Sequence, residues 1–198
     1  MVWCRVAVLV LAVLGTLFGV LTNTLPVFRG ERTMGTEFTT LWYGRLKVDH
    51  SIIRVSTEGC KTFVRYFFAS EAFAVIATLG GVAIVVLAIM QILVSQRRGF
   101  VVYSVSILSF IAFLACVICV GLLAHVYVAD LCQDESHPLR DHYTSLKSQG
   151  LRYAEAFGFI CAACGVFMVG AVVQCFGVSV ANSISSDDKG GLYADTRV

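Results

Sequence analysis

Four of the eight cysteines in this 198-residue chain fall in two CxxC motifs, Cys116-Val-Ile-Cys119 and Cys161-Ala-Ala-Cys164. On a helix, i, i+3 spacing sets both sulfurs on one face, and two such pairs invite a four-cysteine zinc site or a membrane thiol oxidoreductase. Zinc needs a loop or turn to wrap a tetrahedral ion. Both motifs instead lie inside long uncharged runs, where a doubly anionic tetrathiolate would be buried in lipid. A reactive thiol needs a nearby cation to hold its thiolate, and none flanks either pair. Cysteine is also a small residue commonly buried in packed interiors, and the neighbours Ala115, Ala162, Ala163 and Gly165 favour helix packing. The sequence therefore predicts no metal and no cofactor, with a thiol oxidoreductase kept as the alternative. Cys4 and Cys175 lie near helix ends, where reversible palmitoylation is the relevant chemistry.

Other side chains able to do chemistry have structural readings. His125 sits in an otherwise apolar run, within about a turn of Asp130, and reads as an interfacial hydrogen bonder although an intramembrane ionisable group is a functional candidate by default. Gln91 and Gln174 read as interhelical hydrogen bonders worth about 1 kcal/mol each. Trp42 reads first as an interfacial anchor, since Trp collects at headgroup level. No Walker loop, HExxH, GxSxG or dinucleotide fingerprint occurs, and no carboxylate lies mid-run to serve a proton relay. Asn23-Thr-Leu and Asn182-Ser-Ile both fail the N-glycosylation pattern.

The elements that position these residues follow from composition. With 58% hydrophobic and 14% charged residues and a mean hydropathy of +0.81, the chain is far more apolar than a soluble domain, where about a quarter of residues are charged. A net charge of +2, with no run of five basic residues, gives no reason to expect nucleic acid. Four apolar runs of roughly the 20 residues that span a bilayer predict an all-α membrane protein. It is one domain over 1–198, a four-helix bundle with helices at about 3–22, 70–95, 100–129 and 153–180. The first run is too long for a signal-peptide core and reads as an uncleaved anchor. Gly15 and Gly19, spaced GxxxG, mark a packing face on it. Ser70 and Glu71 suit the start of the second helix, as cap and as a negative group at the positive dipole end. Glu71-Ala-Phe73-Ala and Glu155-Ala-Phe157-Gly echo one another as helix entries.

The loops at 23–69 and 130–152 then share one side, and the turn at 96–99 and the tail at 181–198, read as disordered, share the other. Alternation within 37–42 and 45–55 predicts short strands and a small sheet in loop one. Arg5 beside the first helix and Arg97-Arg98 in a tight turn place both termini in the cytosol and the loops outside. A plain count of loop-one basic residues (Arg29, Arg32, Arg45, Lys47, Arg54, Lys61, Arg65) runs the other way. Cys60 and Cys132 are the only cysteines outside the apolar runs. They fall on the same side in either orientation, so a disulfide is expected between them on an oxidising surface, against free thiols or an intermolecular bond.

Thr40-Leu41-Trp42, then Gly44, Arg45, Lys47 and Asp49, Cys60, Arg65 and Ser-Glu-Ala-Phe-Ala at residues 70–74, resemble the amastin family of kinetoplastid surface proteins. The entry Tyr153-Ala-Glu-Ala-Phe-Gly-Phe and the four-span plan extend the resemblance over nearly the whole chain. Phe38 and Val48 occupy the two cysteine positions of the family's loop motif, and Tyr43 intrudes between Trp42 and Gly44. The loop is also similar in plan to the first extracellular loop of claudins and peripheral myelin proteins. The resemblance implies a surface protein with no enzymatic activity, acting in adhesion or membrane organisation through a protein or lipid partner outside the cell, itself in the bilayer and a candidate homo-oligomer. An accessory subunit of a channel or transporter is a third reading.

Overall fold

A computed structural model describes residues 2–32, 35–42, 44–48, 51–55, 61–93, 99–131 and 145–194. Asp49, Cys60, Arg97, Arg98 and Cys132 lie outside the described residues. Four helices are long and apolar enough to cross a membrane: α1 (Val2–Thr24), α2 (Lys61–Leu93), α3 (Gly99–Val128) and α4 (Glu155–Ala194). Each packs on its neighbours in sequence, and α1 closes the ring against α4.

Side-chain size sets the crossings. Phe167 of α4, 2% exposed, fills the space between α1 and α2 where both carry glycine. A methyl group on Gly15 would lie 2.8 Å from its ring, and one on Gly81 would lie 2.6 Å from the Thr16 hydroxyl and 3.1 Å from the Phe167 ring. Gly19 faces Thr78 of α2 at 2.7 Å by the same measure. The GxxxG face therefore serves two partners, Gly15 towards α4 and Gly19 towards α2. The hydroxyls of Thr16, Thr22, Ser70 and Thr78 each donate to the carbonyl four residues back, which satisfies them without water. At the end where α2 gives way to α3, Arg5 donates to the Gln91 carbonyl at 2.8 Å and the Gln91 amide donates to the Val101 carbonyl at 3.3 Å.

At the other end lies a five-stranded sheet. Its strands are β1 (Phe28–Arg32), β2 (Gly35–Thr39), β3 (Gly44–Val48), β4 (Ser51–Val55) and β5 (Arg152–Tyr153), in the order β4-β3-β2-β1-β5 and antiparallel throughout. Alternation had pointed to strands within 37–42 and 45–55 only. β1 and β5 join from segments whose Pro26, Gly30 and short length hide any period.

Two boundaries differ markedly from the sequence reading. α2 begins at Lys61, nine residues before Ser70, because Phe63, Tyr66, Phe67 and Ser70 form one helical stripe that is covered by the rest of the fold. Ser70 is therefore an interior residue bonded back to Tyr66, not a cap, and Glu71 lies in the third turn, away from the positive dipole end. α4 continues through the tail to Ala194, since extending an existing helix requires no new nucleus. At 33 residues and about 1.5 Å per residue, α2 is about 50 Å long, against an apolar core of about 30 Å, so it projects at the sheet end.

Candidate functional site

The sheet end of the bundle carries the family-motif residues, and Phe28 fixes it there. Phe28 is wholly buried; its ring stacks on Tyr127 of α3 with centroids 5.9 Å apart, lies 5.6 Å from Tyr153 and meets Phe67 of α2 edge-on at 6.4 Å. Tyr153 in turn lies 4.2 Å from Tyr127 and stacks on Phe157 at 4.0 Å. Offset and edge-on pairs at these distances add about 0.5–1.5 kcal/mol each beyond burial. Burial pushes the Tyr153 phenol up from its ordinary range, with Tyr127 and Cys161 adding to the push. In the sequence Tyr153 stands out only as part of a helix entry, and Phe28 and Tyr127 do not stand out as core residues. The one signal for the joint is the aromatic spacing Tyr153-x-x-x-Phe157.

Backbone bonds close the same joint. The Val27 amide donates to the Thr39 carbonyl, the Ala154 amide to the Val27 carbonyl, both at 2.8 Å, and the Ala156 amide to the Pro26 carbonyl at 3.1 Å. The last bond occupies a donor that the first turn of α4 leaves free. Glu155 and Phe157 do open α4, and Glu155 pairs with Arg29 of β1 at 3.5 Å; half-exposed on both sides, that pair contributes little. Glu71 and Phe73 lie inside α2 and present no equivalent end. On the α3 side, the Lys147 amide donates to the Tyr127 carbonyl and the Ser145 amide to the Asp130 carboxylate. Gly150, at φ +79°, supplies the left-handed residue that lets the chain turn back into β5.

Thr40-Leu41-Trp42 divides its work. Thr40 and Leu41 are buried, whereas Trp42 is half-exposed and donates its indole N–H to the Asn23 carbonyl at 3.0 Å, occupying an acceptor at the end of α1. The Asn23 amide group donates to the Gly19 carbonyl and the Thr78 hydroxyl. Gly44, Arg45 and Lys47 lie on β3. The register pairs Phe38 with Arg45, so positions 38 and 48 fall on opposite faces of the sheet, and the motif's cysteine positions do not meet here. His125 packs its ring 5.1 Å from Tyr66.

The two CxxC motifs, on α3 and α4, lie near enough for their thiols to interact electrostatically, but they differ in exposure. Cys116 and Cys119 are sealed inside the bundle and Cys161 faces outward; all of them, with Cys164, are free thiols. Cys119 donates to the Ser70 carbonyl at 3.4 Å, a contact between α2 and α3. Among the described residues no group of three or more His, Cys, Asp or Glu is placed to share one metal ion.

The model of one protein family, Amastin surface glycoprotein, matches residues 10–174. No individually curated protein matches the chain.

Proposed function

Because the chain belongs to the amastin family of surface glycoproteins, we propose that it is a non-enzymatic surface protein whose helices anchor a five-stranded cap outside the cell for adhesion or membrane organisation. Its partner is a protein or lipid on that side, or a second copy of the chain. The carrying observation is the Phe28 joint: rings of α2, α3 and β5 close on Phe28 and hold the sheet as a platform against the end of the bundle. Nothing specific favours the oxidoreductase or accessory-subunit readings.

Orientation is the testable core of this reading. In a background where native cysteines are blocked, single cysteines at Thr57 and Ser145 should react with a membrane-impermeant maleimide on intact cells, and one at Gln96 should react only after permeabilisation. Labelling at Gln96 alone would invert the molecule and remove the cap from the surface.

A further inference from the structure

Two contacts fix how α3 and α4 face each other along their seam. At one end the Ser106 hydroxyl lies 3.3 Å from the Cys175 sulfur; at the other the Tyr127 ring lies 4.2 Å from that of Tyr153, just ahead of α4. The two helices run antiparallel, so matching levels are found by counting inward along both. Ten residues on from Ser106 is Cys116, and eleven back from Cys175 is Cys164. Eleven back from Tyr127 and eleven on from Tyr153 are the same two cysteines. From Tyr127 to Cys116 and from Cys175 to Cys164 the chain makes about three turns, so each cysteine shares the face of the residue that makes the end contact.

The thiols agree with this register. Cys116 interacts with Cys164 across the seam more strongly than with Cys119 on its own helix, although side chains one turn apart are close neighbours. Cys119 is turned towards α2, where it donates to the Ser70 carbonyl at 3.4 Å. Cys116 is sealed, Cys164 is half-buried, and Cys161, one turn nearer the cap, is exposed. Both members of the facing pair lie within about a turn of the middle of their spans, Val101–Val128 and Glu155–Phe176, so the open side of Cys164 meets hydrocarbon rather than water. Small-residue packing accounts for each cysteine singly. It does not call for a second thiol at the same level on the facing helix.

We propose that Cys116 and Cys164 are an oxidisable pair that a hydrocarbon-soluble hydroperoxide closes into a disulfide tying α3 to α4. The Cys164 sulfur attacks the terminal oxygen of the hydroperoxide; the O–O bond breaks, an alcohol leaves, and Cys164 becomes a sulfenic acid. The Cys116 sulfur then attacks the sulfenic sulfur, the S–S bond forms, and the displaced hydroxyl departs as water with the Cys116 proton. Two thiols give up two electrons and two protons, and one hydroperoxide is reduced to an alcohol and water. Nothing in this step reduces the bond again, so it is a stoichiometric modification and not a catalytic activity. The bond forms about 16 Å inward of Tyr127 and clamps together the helix that carries Tyr127 and the helix that Tyr153 leads into. The proposal goes beyond the surface-protein reading and does not depend on which way the molecule faces.

The test uses the full chain in nanodiscs, with cumene hydroperoxide as probe and oxidised glutathione, whose charges keep it in water, as comparison. Cumene hydroperoxide should yield, in an unreduced digest, a peptide pair that joins Cys116 to Cys164, is lighter than its two parts by two hydrogens, and is released by a thiol reductant. The thermal midpoint should rise on closure, because the crosslink restricts the unfolded chain. Cys116→Ala and Cys164→Ala should each abolish this link, and Cys119→Ala should leave it in place, with circular dichroism of the unoxidised variants as the check on folding. Cys164→Ala, at a half-buried position, carries the test if the variant at the sealed position does not fold. Absence of the Cys116–Cys164 peptide from the oxidised parent, a predominant link of either residue to Cys119 or Cys161, or equal closure by oxidised glutathione would overturn the proposal.

Discussion

Replacing Phe28 with alanine tests whether the cap is held by one aromatic joint. The side chain is wholly buried against rings at 5.6, 5.9 and 6.4 Å, contributed by β5, α3 and α2. Truncating a buried Phe costs about 3–5 kcal/mol. Because the helices remain inserted, that loss falls on docking of the sheet rather than on the bundle. At 1.4 kcal/mol per tenfold, even the lower figure raises the undocked population about a hundredfold. Proteolysis of the protein in nanodiscs reads that population when opening is fast relative to cleavage. Cuts between residues 23 and 60 should therefore accelerate by about two orders of magnitude, while helical circular dichroism stays unchanged. Phe28→Leu, which keeps most of the volume, should show less than half the free-energy loss, in line with the tolerance of cores for apolar swaps. Cleavage of Phe28→Ala within about twofold of the parent would mean that the sheet is held elsewhere, and the joint would lose its assigned role.

Three further outcomes follow from named contacts. Gly81→Ala should destabilise the bundle in detergent by about 1–3 kcal/mol through overpacking, since its methyl would lie 2.6 Å from the Thr16 hydroxyl. Gly158→Ala, with nothing within 4 Å, should be neutral or stabilising by up to about 1 kcal/mol; the reverse order in unfolding titrations would refute the packing assigned to α1 and α2. Trp42→Phe keeps the ring but removes the donor to the Asn23 carbonyl and should cost about 1 kcal/mol of cap stability, with no loss if the indole is only a lipid anchor. Peptide mapping without reduction should recover Cys60 linked to Cys132, and alkylation of both thiols in unreduced protein would exclude the bond.

The spans were legible because hydrocarbon tolerates almost no charge, and each helix carries a long run without any. The head of α2 was not, because Lys61 and Arg65 mask the stripe of Phe63, Tyr66 and Phe67 that turns inward. β1 escaped because Pro26 and Gly30 read as turn residues, and β5 because two residues hold no period. Trp42 stands out in the sequence, yet its partner, the Asn23 carbonyl, is a backbone atom that no side-chain pattern announces. The pairing of β1 with β5 was invisible for a deeper reason. Residues 29 and 152 become neighbours only through register, which one residue of slippage would destroy by moving them to the other face.

The pairing of β1 with β5 also dictates when this molecule can be finished. Phe28 and Arg29 leave the ribosome early, but Tyr153 and Arg152, which cover them, follow only after α2 and α3 have been made. At about 5–20 residues per second, the wait is on the order of ten seconds. Throughout it β1 presents an open edge and Phe28 lacks its Tyr153 partner, a state prone to strand capture by other chains. Any chain stopped before Arg152 keeps that edge indefinitely, whatever the quality of its first three helices. The two residues of β5 thus act as the latch by which a completed molecule differs, at its surface, from every unfinished one.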